Sequence, residues 1–220
     1  MAGAALKLEM GGVLAGHVIE CSPRIISAMW RSLIEVPWII LVVYWWASAL
    51  KTRRTVRREP FASRYGILSL ILGGYFLVFA NNDNGGLDAR LGFFGHQIFP
   101  RTFSSSIAAV AFTWIGLGIA LWARFHLGEY WSARVAIKDD HQLIRTGPYA
   151  YCRHPIYSGF DLATIGGVLA VDRWRCVVGL VLIVAAYWIK ARKEDTMLTQ
   201  QFGEAFEEHR RHTGFLLPKL

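Results

Sequence analysis

The sequence is poor in cysteine and in charged residues. Its three cysteines, Cys21, Cys152 and Cys176, form no CxxC pair, so neither a disulfide framework nor a zinc site is expected. Charged residues make up 18% of the chain and hydrophobic residues 54%. Soluble domains carry about 25% charged residues, so this composition favours a membrane protein.

Two further absences narrow the functional classes. The weakly apolar residues 10–19 are interrupted or flanked by charged and polar side chains, so no cleavable signal peptide is expected. The histidines form no HxxxH or HExxH set, so the sequence predicts no metal site.

Five apolar runs dominate the chain, at residues 33–50, 65–80, 102–123, 155–171 and 174–189. A helix that spans a bilayer needs about 20 residues, so the second and fifth runs need flanking residues to complete them. Only Asp172 and Arg173 separate the last two runs, which predicts a tight helical hairpin. We therefore expect an all-α fold, a polytopic transmembrane bundle of about five spans.

The basic residues are distributed unequally between the two sides of this bundle. Of the 24 Lys and Arg residues, seventeen lie in segments 51–64, 124–153 and 190–220, and seven lie in the other segments. The positive-inside rule places the richer segments in the cytoplasm and the N-terminus outside, so the expected location is a bacterial inner membrane. The net charge of +8 is split into clusters between apolar runs, so we expect a lipid bilayer as partner and no nucleic acid. The sequence does not indicate an oligomeric state.

The segment 193–212 has the pattern of an amphipathic helix. Leu198, Phe202 and Phe206 recur every four residues among charged side chains, which predicts a cytoplasmic C-terminal helix on the membrane surface or against the bundle. Glu194 lies four residues before Leu198 and shares the apolar stripe, an unusual place for an acid.

The stretch 127–170 carries most of the chemistry-bearing residues. His154-Pro155 predicts a helix start at the membrane surface, where free backbone N–H groups favour a carboxylate ligand. His154, Tyr157 and Asp161 share one face of that helix. An acid inside an apolar segment indicates a functional site; the alternative is that Asp161 bonds a neighbouring helix.

Three pieces of this stretch resemble the isoprenylcysteine carboxyl methyltransferase family of integral membrane methyltransferases. They are residues 141–144 (HQLI), 147–149 (GPY) and 153–159 (RHPIYSG). The acidic, FG-containing segment 193–206 continues the resemblance, which spans about residues 127–218. The combination is specific, whereas an isolated RHPxY would be weak because sterol reductases and phospholipid methyltransferases carry related forms.

The resemblance implies an S-adenosylmethionine pocket in residues 126–220, with residues 1–125 as an N-terminal membrane region that matches no motif. Residues 141–144 and Tyr149 would line the adenosine, residues 154–157 would surround the methionine end, and Glu194 would hold a polar group. The implied cofactor residues are His141, Gln142, Leu143, Ile144, Tyr149, His154, Pro155, Ile156, Tyr157 and Glu194.

The resemblance also implies a basic substrate contact shortly before Glu194. Lys190 and Arg192 both qualify, and spacing does not separate them. Asp161 lies deeper than Tyr157 on the same face, so it is expected to border the methyl acceptor. The family's second adjacent glutamate is replaced by Asp195, and its closing tyrosine by Phe206.

The expected function is transfer of a methyl group from S-adenosylmethionine to a small or lipid-like acceptor (a carboxylate, thiol or amine) at the cytoplasmic face. One alternative is an NADPH-dependent membrane reductase of the sterol-reductase type, which would need a second phosphate-binding basic pocket that the sequence does not display. Another is a non-catalytic membrane scaffold or transporter, although the chain has no internal repeat.

Overall fold

A computed structural model of the chain describes residues 23–49, 55–58, 61–80, 86–131, 136–138 and 142–219. In chain order the elements are α1 (Pro23–Ala49), β1 (Thr55–Arg58), α2 (Phe61–Phe79), α3 (Gly86–Arg90), α4 (Phe103–Leu127), β2 (Ala136–Lys138), α5 (Pro155–Val171), α6 (Trp174–Phe202) and α7 (Glu204–His212). Short 3-10 turns occur at Gly92–Gly95, Gly128–Tyr130 and Gly147–Ala150.

Each of the five predicted apolar runs forms a long helix, so the all-α prediction is confirmed. Among the described residues, three apolar stretches are long enough to cross a membrane, namely Met29–Ala49, Phe103–Tyr130 and Trp174–Phe202. The apolar parts of α2 and α5, Tyr65–Phe79 and Pro155–Val171, are shorter. The chain is therefore an integral membrane protein, with a small β1–β2 ribbon that periodicity did not predict.

Small residues bring the helices into close contact. α4 packs most extensively on α5, and α2 on α6. A Cβ placed on Gly116 of α4 would lie 2.6 Å from the carbonyl oxygen of Gly159 and 2.9 Å from Cα of Ala163. Only a residue without a side chain allows the α4 and α5 backbones to approach this closely, as is common between membrane helices.

The described loops lie at the two ends of the bundle, and segments that the charge pattern assigns to the same side lie at the same end. At one end, which we call the site end, β1 pairs antiparallel with β2, with Thr55 opposite Lys138. Arg124 also joins two segments at this end, because its guanidinium donates to the carbonyl of Ser48 at 3.0 Å and to that of Gly128 at 2.7 Å. The C-terminal ends of α1 and α4 therefore lie together.

The opposite end, which we call the far end, is held by two aspartates. Asp172 ends α5 in the left-handed conformation (φ 57°), and its Oδ1 accepts from the backbone N–H groups of Ile98 and Phe99, each at 3.2 Å. Asp88 accepts from Nε of Arg173 at 3.1 Å and from Nε of Arg175 at 2.7 Å. The predicted tight hairpin between α5 and α6 is confirmed.

The C-terminal helix differs from its prediction. Residues 193–212 do not form one separate amphipathic helix, because 193–202 continue α6 and the chain turns at Gly203, whose φ is +53°. α6 is thus 29 residues long, since the polar residues after 189 extend the short fifth run without a break. α7 then places Phe206, which is 1% exposed, against the bundle.

The grouping of loops leads to a topology prediction. A reporter fused after Leu220 should be active in the cytoplasm, and one inserted near Gly86 should be active outside, because the site end carries most of the basic residues. Paired phosphatase and fluorescent-protein fusions measure this. Exchanged signals would contradict the assignment of the site end to the cytoplasm, and equal signals at the two positions would contradict the number of spans between them.

Candidate cofactor and acceptor site

α5 begins where the sequence predicts. Pro155 is its first residue and His154 its N-cap, and the His154 carbonyl accepts from the backbone N–H groups of Tyr157 at 3.1 Å and Ser158 at 3.2 Å. The His154 ring is buried and stacks on the Tyr157 ring at 5.8 Å with an interplanar angle of 15°. The two side chains therefore form one surface at the site end.

Two consecutive acids of α6 meet this surface. The Tyr157 hydroxyl donates to Oε1 of Glu194 at 2.6 Å. Nε2 of His154 lies 2.7 Å from Oδ1 of Asp195, and Nδ1 lies 3.5 Å from Oε2 of Glu194. The start of α5 and the polar end of α6 thus bring four side chains together. We call these residues the polar cluster: His154, Tyr157, Glu194 and Asp195.

The charge of His154 follows from its two acidic neighbours. Burial alone would lower the pKa of His154, but the hydrogen bonds to Asp195 and Glu194 and their negative charges outweigh it and raise the pKa. The imidazole therefore remains cationic to higher pH than an ordinary histidine. A cation held between two carboxylates fixes the relative positions of α5 and α6 at the site.

A C-terminal segment that the sequence analysis did not assign to the site completes it. Arg153 donates through Nε to Oδ2 of Asp195 at 3.2 Å and through its guanidinium to the Thr213 carbonyl at 2.7 Å. The backbone N–H of Arg153 bonds the Gly214 carbonyl at 2.9 Å, and that of His154 bonds the Phe215 carbonyl at 3.3 Å. Residues 213–215 therefore run alongside 151–154 and hold the helix start in place.

Phe215 provides an aromatic cover for the polar cluster. Its ring centroid lies 5.2 Å from that of His154 and 4.7 Å from that of Trp188. The Arg153 and Arg192 guanidinium carbons lie 5.5 Å and 5.3 Å from the same ring. An isolated phenylalanine outside any periodic segment gave no reason to expect this role.

The structure distinguishes the two candidate substrate contacts. Nζ of Lys190 lies 5.4 Å from the centre of the Tyr157 ring, and Lys190 is near enough to Glu194 to interact with it electrostatically. Arg192 is exposed and lies over Trp188 at 5.2 Å. Lys190 thus lies beside the polar cluster, whereas Arg192 lies over the rings of Trp188 and Phe215.

Two of the residues implied to line the adenosine, Ile144 and Tyr149, lie beside the polar cluster. Tyr149 is buried, and burial together with the Glu194 charge raises the pKa of its hydroxyl. Ile144 packs partly buried against the core that contains Tyr149 and Tyr157, while Gln142 is exposed and Leu143 half-buried. Pro155 and Ile156 are buried; His141 lies outside the described residues.

Asp161 occupies the position expected from its helix face, one turn deeper than Tyr157. Its carboxylate lies within electrostatic reach of the hydroxyls of Tyr75 and Tyr187. Its Oδ1 is buried and accepts no hydrogen bond from the described residues. The alternative, a hydrogen bond between Asp161 and a neighbouring helix, therefore has no support at Oδ1.

The hydrogen-bonding groups of the polar cluster fit S-adenosylmethionine. A carboxylate offers about four acceptor positions, and Tyr157 and His154 occupy two of those on Glu194. The Glu194 side chain is 23% exposed, so its remaining positions can reach an ammonium group. Within the described ranges no group of three or more His, Cys, Asp or Glu residues that could hold a metal is assembled.

Comparison with known proteins identifies the same part of the chain. The model of the isoprenylcysteine carboxyl methyltransferase (ICMT) family matches residues 109–200. The cobalt-zinc-cadmium resistance protein CzcN of Cupriavidus metallidurans is 30% identical over 129 residues, which cover 58% of this chain and 56% of that protein. The nickel-cobalt-cadmium resistance protein NccN of Alcaligenes xylosoxydans xylosoxydans is 28% identical over 127 residues, 57% of each chain.

A protein-S-isoprenylcysteine O-methyltransferase of Schizosaccharomyces pombe is 28% identical over 116 residues, which cover 51% of this chain and 49% of that protein. The resemblance to this family seen in the motifs is therefore confirmed. The chain spans about half the length of the curated relatives it matches.

Proposed function

We propose that this chain is a methyltransferase of the membrane that moves a methyl group from S-adenosylmethionine to a small or lipid-like acceptor at the cytoplasmic face. The observation that carries the proposal is the meeting of His154 and Tyr157 at the start of α5 with Glu194 on α6. These residues lie inside or beside the family match over 109–200. Residues 126–220 would then contain the cofactor pocket.

Within this proposal each residue of the site either binds the cofactor or positions another residue that does. Glu194 receives the cofactor's ammonium group at the acceptor positions that Tyr157 and His154 leave open. Tyr149, Leu143 and Ile144 supply the apolar side of the pocket beside the adenosine, and Gln142 supplies a polar side chain next to them. Asp195 and Arg153 act through His154, since they hold its ring and the helix start and have no need to touch the cofactor.

The chemistry requires little proton transfer from the protein. S-adenosylmethionine supplies, when bound, a methyl group already activated by its sulfonium. The residues of this chain then need to align the acceptor with that methyl and to exclude water. Lys190, which lies over the Tyr157 ring, is the basic residue we assign to the acceptor side, and Arg192 is not.

Calorimetry on the detergent-purified chain tests the proposal. S-adenosylhomocysteine, the cofactor product, should bind to one site, whereas NADPH should give no heat of binding. The polar cluster contains two carboxylates, of which Glu194 is partly exposed, and such a site fits an ammonium better than a phosphate. Binding of NADPH alone would favour the reductase alternative. Binding of neither ligand would favour the scaffold.

A further inference from the structure

A groove lies between α2 and α6 at the site end of the bundle. It has a volume of about 470 Å³ and is lined by Gly66, Ile67, Ser69, Leu70, Ile189 and Lys193. Nearer the far end the two helix backbones touch, since a Cβ placed on Gly74 would lie 2.8 Å from the carbonyl oxygen of Gly179. We call the space at the site end the α2–α6 groove.

The α2 side of the groove carries little side-chain bulk. A Cβ placed on Gly66, or on Gly73 about two turns later on the same face, would meet no other described segment within 4 Å. The Ser69 hydroxyl donates to the Gly66 carbonyl of its own helix at 2.9 Å, so its hydrogen is already used. On the α6 side, Ile189 is 40% exposed. An acyl chain can therefore lie along α2 without displacing a side chain.

The charged residue of the lining is Lys193, which is half-buried. Its ammonium group has three N–H donors, so an anionic oxygen can join the contacts that Lys193 already makes. The next residue, Glu194, lies on another face of α6, where it accepts from Tyr157. The groove therefore has a positive charge at its site end, next to an apolar surface.

The segment before α2 adds positive charge at the same end. Residues 51–64 include six Lys and Arg residues and one acid, and the β1 part of this segment pairs with β2. A cluster of about four to eight basic residues beside a membrane helix, or a basic pocket between such helices, is typical of a site for anionic lipid head groups. Two independent features therefore indicate the same kind of ligand.

The groove fits one molecule that has both an apolar chain and an anionic group. A free phosphate would leave the apolar lining without a partner. A zwitterionic lipid would bring a second positive charge close to Lys193, and like charges repel more strongly away from water. The lining therefore favours a phospholipid with a net negative charge.

We propose that the α2–α6 groove binds one anionic phospholipid, with its phosphate at Lys193 and an acyl chain along Gly66 and Ser69. The site is separate from the polar cluster and does not depend on the proposed function. A lipid held in this way contacts both helices where their backbones no longer touch, and so it links α2 to the polar end of α6.

Native mass spectrometry tests the choice of lipid. The full chain is released from nanodiscs that contain equal amounts of dioleoylphosphatidylglycerol and dioleoylphosphatidylcholine, which have the same acyl chains and differ in net charge. We expect one phosphatidylglycerol to remain bound at least about fivefold more often than phosphatidylcholine, since a lysine near anionic lipid contributes about 1 kcal/mol. Equal retention of the two lipids would overturn the proposal. Displacement of the lipid by inorganic phosphate at constant ionic strength would assign the site to a free phosphate and would also overturn it.

A charge variant tests the position of the head group. Lys193→Gln removes the positive charge and should make the retention of the two lipids equal. Lys219→Gln, which removes an exposed lysine after α7, is the matched control and should leave the preference unchanged. A wild-type preference in Lys193→Gln would refute the site.

A shape variant tests the position of the acyl chain. Gly66→Leu places a side chain in the groove and should reduce the retention of phosphatidylglycerol severalfold. Gly118→Leu introduces the same side chain on α4, where a Cβ also meets no other described segment within 4 Å, and should retain the lipid. Equal retention in these two variants would overturn the proposal, and this pair decides if circular dichroism shows that Lys193→Gln does not fold.

Discussion

Replacing Glu194 with alanine should weaken the binding of S-adenosylhomocysteine by roughly ten- to hundredfold, because a charge-assisted contact in a buried site is worth about 1.5–3 kcal/mol. The same change leaves the Tyr157 hydroxyl without its acceptor at 2.6 Å, so the Tyr157 side chain is also no longer held in place. Isothermal titration on the purified variant measures the affinity.

The control for this experiment is Glu208→Ala, which removes an exposed acid of α7 and should leave the affinity unchanged. His154→Ala should resemble Glu194→Ala, since it removes the ring that positions both acids. Wild-type affinity in both site variants, with circular dichroism unchanged, would remove the polar cluster from the cofactor pocket.

Replacing Arg175 with methionine should produce the largest loss of stability. The Arg175 side chain is 3% exposed, and it donates to Asp88 and to the carbonyls of Leu77 and Val78. Removing one partner of a buried ion pair costs about 3–5 kcal/mol; here Asp88 keeps its bond to Arg173 but loses the shorter one to Arg175, and the two α2 carbonyls lose a donor. The melting temperature in a fixed detergent should fall by several degrees.

A double variant separates the charge effect from simple loss of packing. If Arg175 and Asp88 stabilise the protein through their ion pair, the loss in the double variant Arg175→Met/Asp88→Asn should be smaller than the sum of the losses in the two single variants. Arg173→Met, which removes the more exposed partner of Asp88, should cost less. Additive losses would show that Arg175 and Asp88 do not stabilise the protein through their ion pair.

Local patterns in the sequence were sufficient to predict the long apolar helices. A proline after His154 predicts the start of α5, because its missing N–H is not needed in the first turn. The two polar residues 172 and 173 predict the hairpin, since no helix crosses a bilayer and reverses without a turn. The Glu194 position on an apolar stripe likewise predicts a side chain that faces the bundle.

Contacts between distant segments could not be predicted in this way. Asp195 bonds Arg153 and His154, some 40 positions away, and Phe215 packs on residues of two other segments. Periodicity also could not show that residues 193–202 continue α6, because a change from apolar to polar composition looks the same whether or not a helix is interrupted. The end of α6 depends on a single residue, Gly203, which can adopt a positive φ.

The difference in helix length has a consequence for the surrounding lipid. At about 1.5 Å per residue, the 29 residues of α6 extend about 44 Å, whereas a hydrocarbon core is about 30 Å thick. The apolar part of α2, Tyr65–Phe79, covers only about 22 Å, yet Leu72 and Phe76 on it are exposed. Because α2 is packed along α6, it cannot adjust its tilt independently, so we expect the bilayer to thin beside it at a cost of fractions of a kcal/mol per Å. Lipids with short acyl chains should therefore gather along α2, and the free energy of the protein in a membrane should depend on the thickness of that membrane.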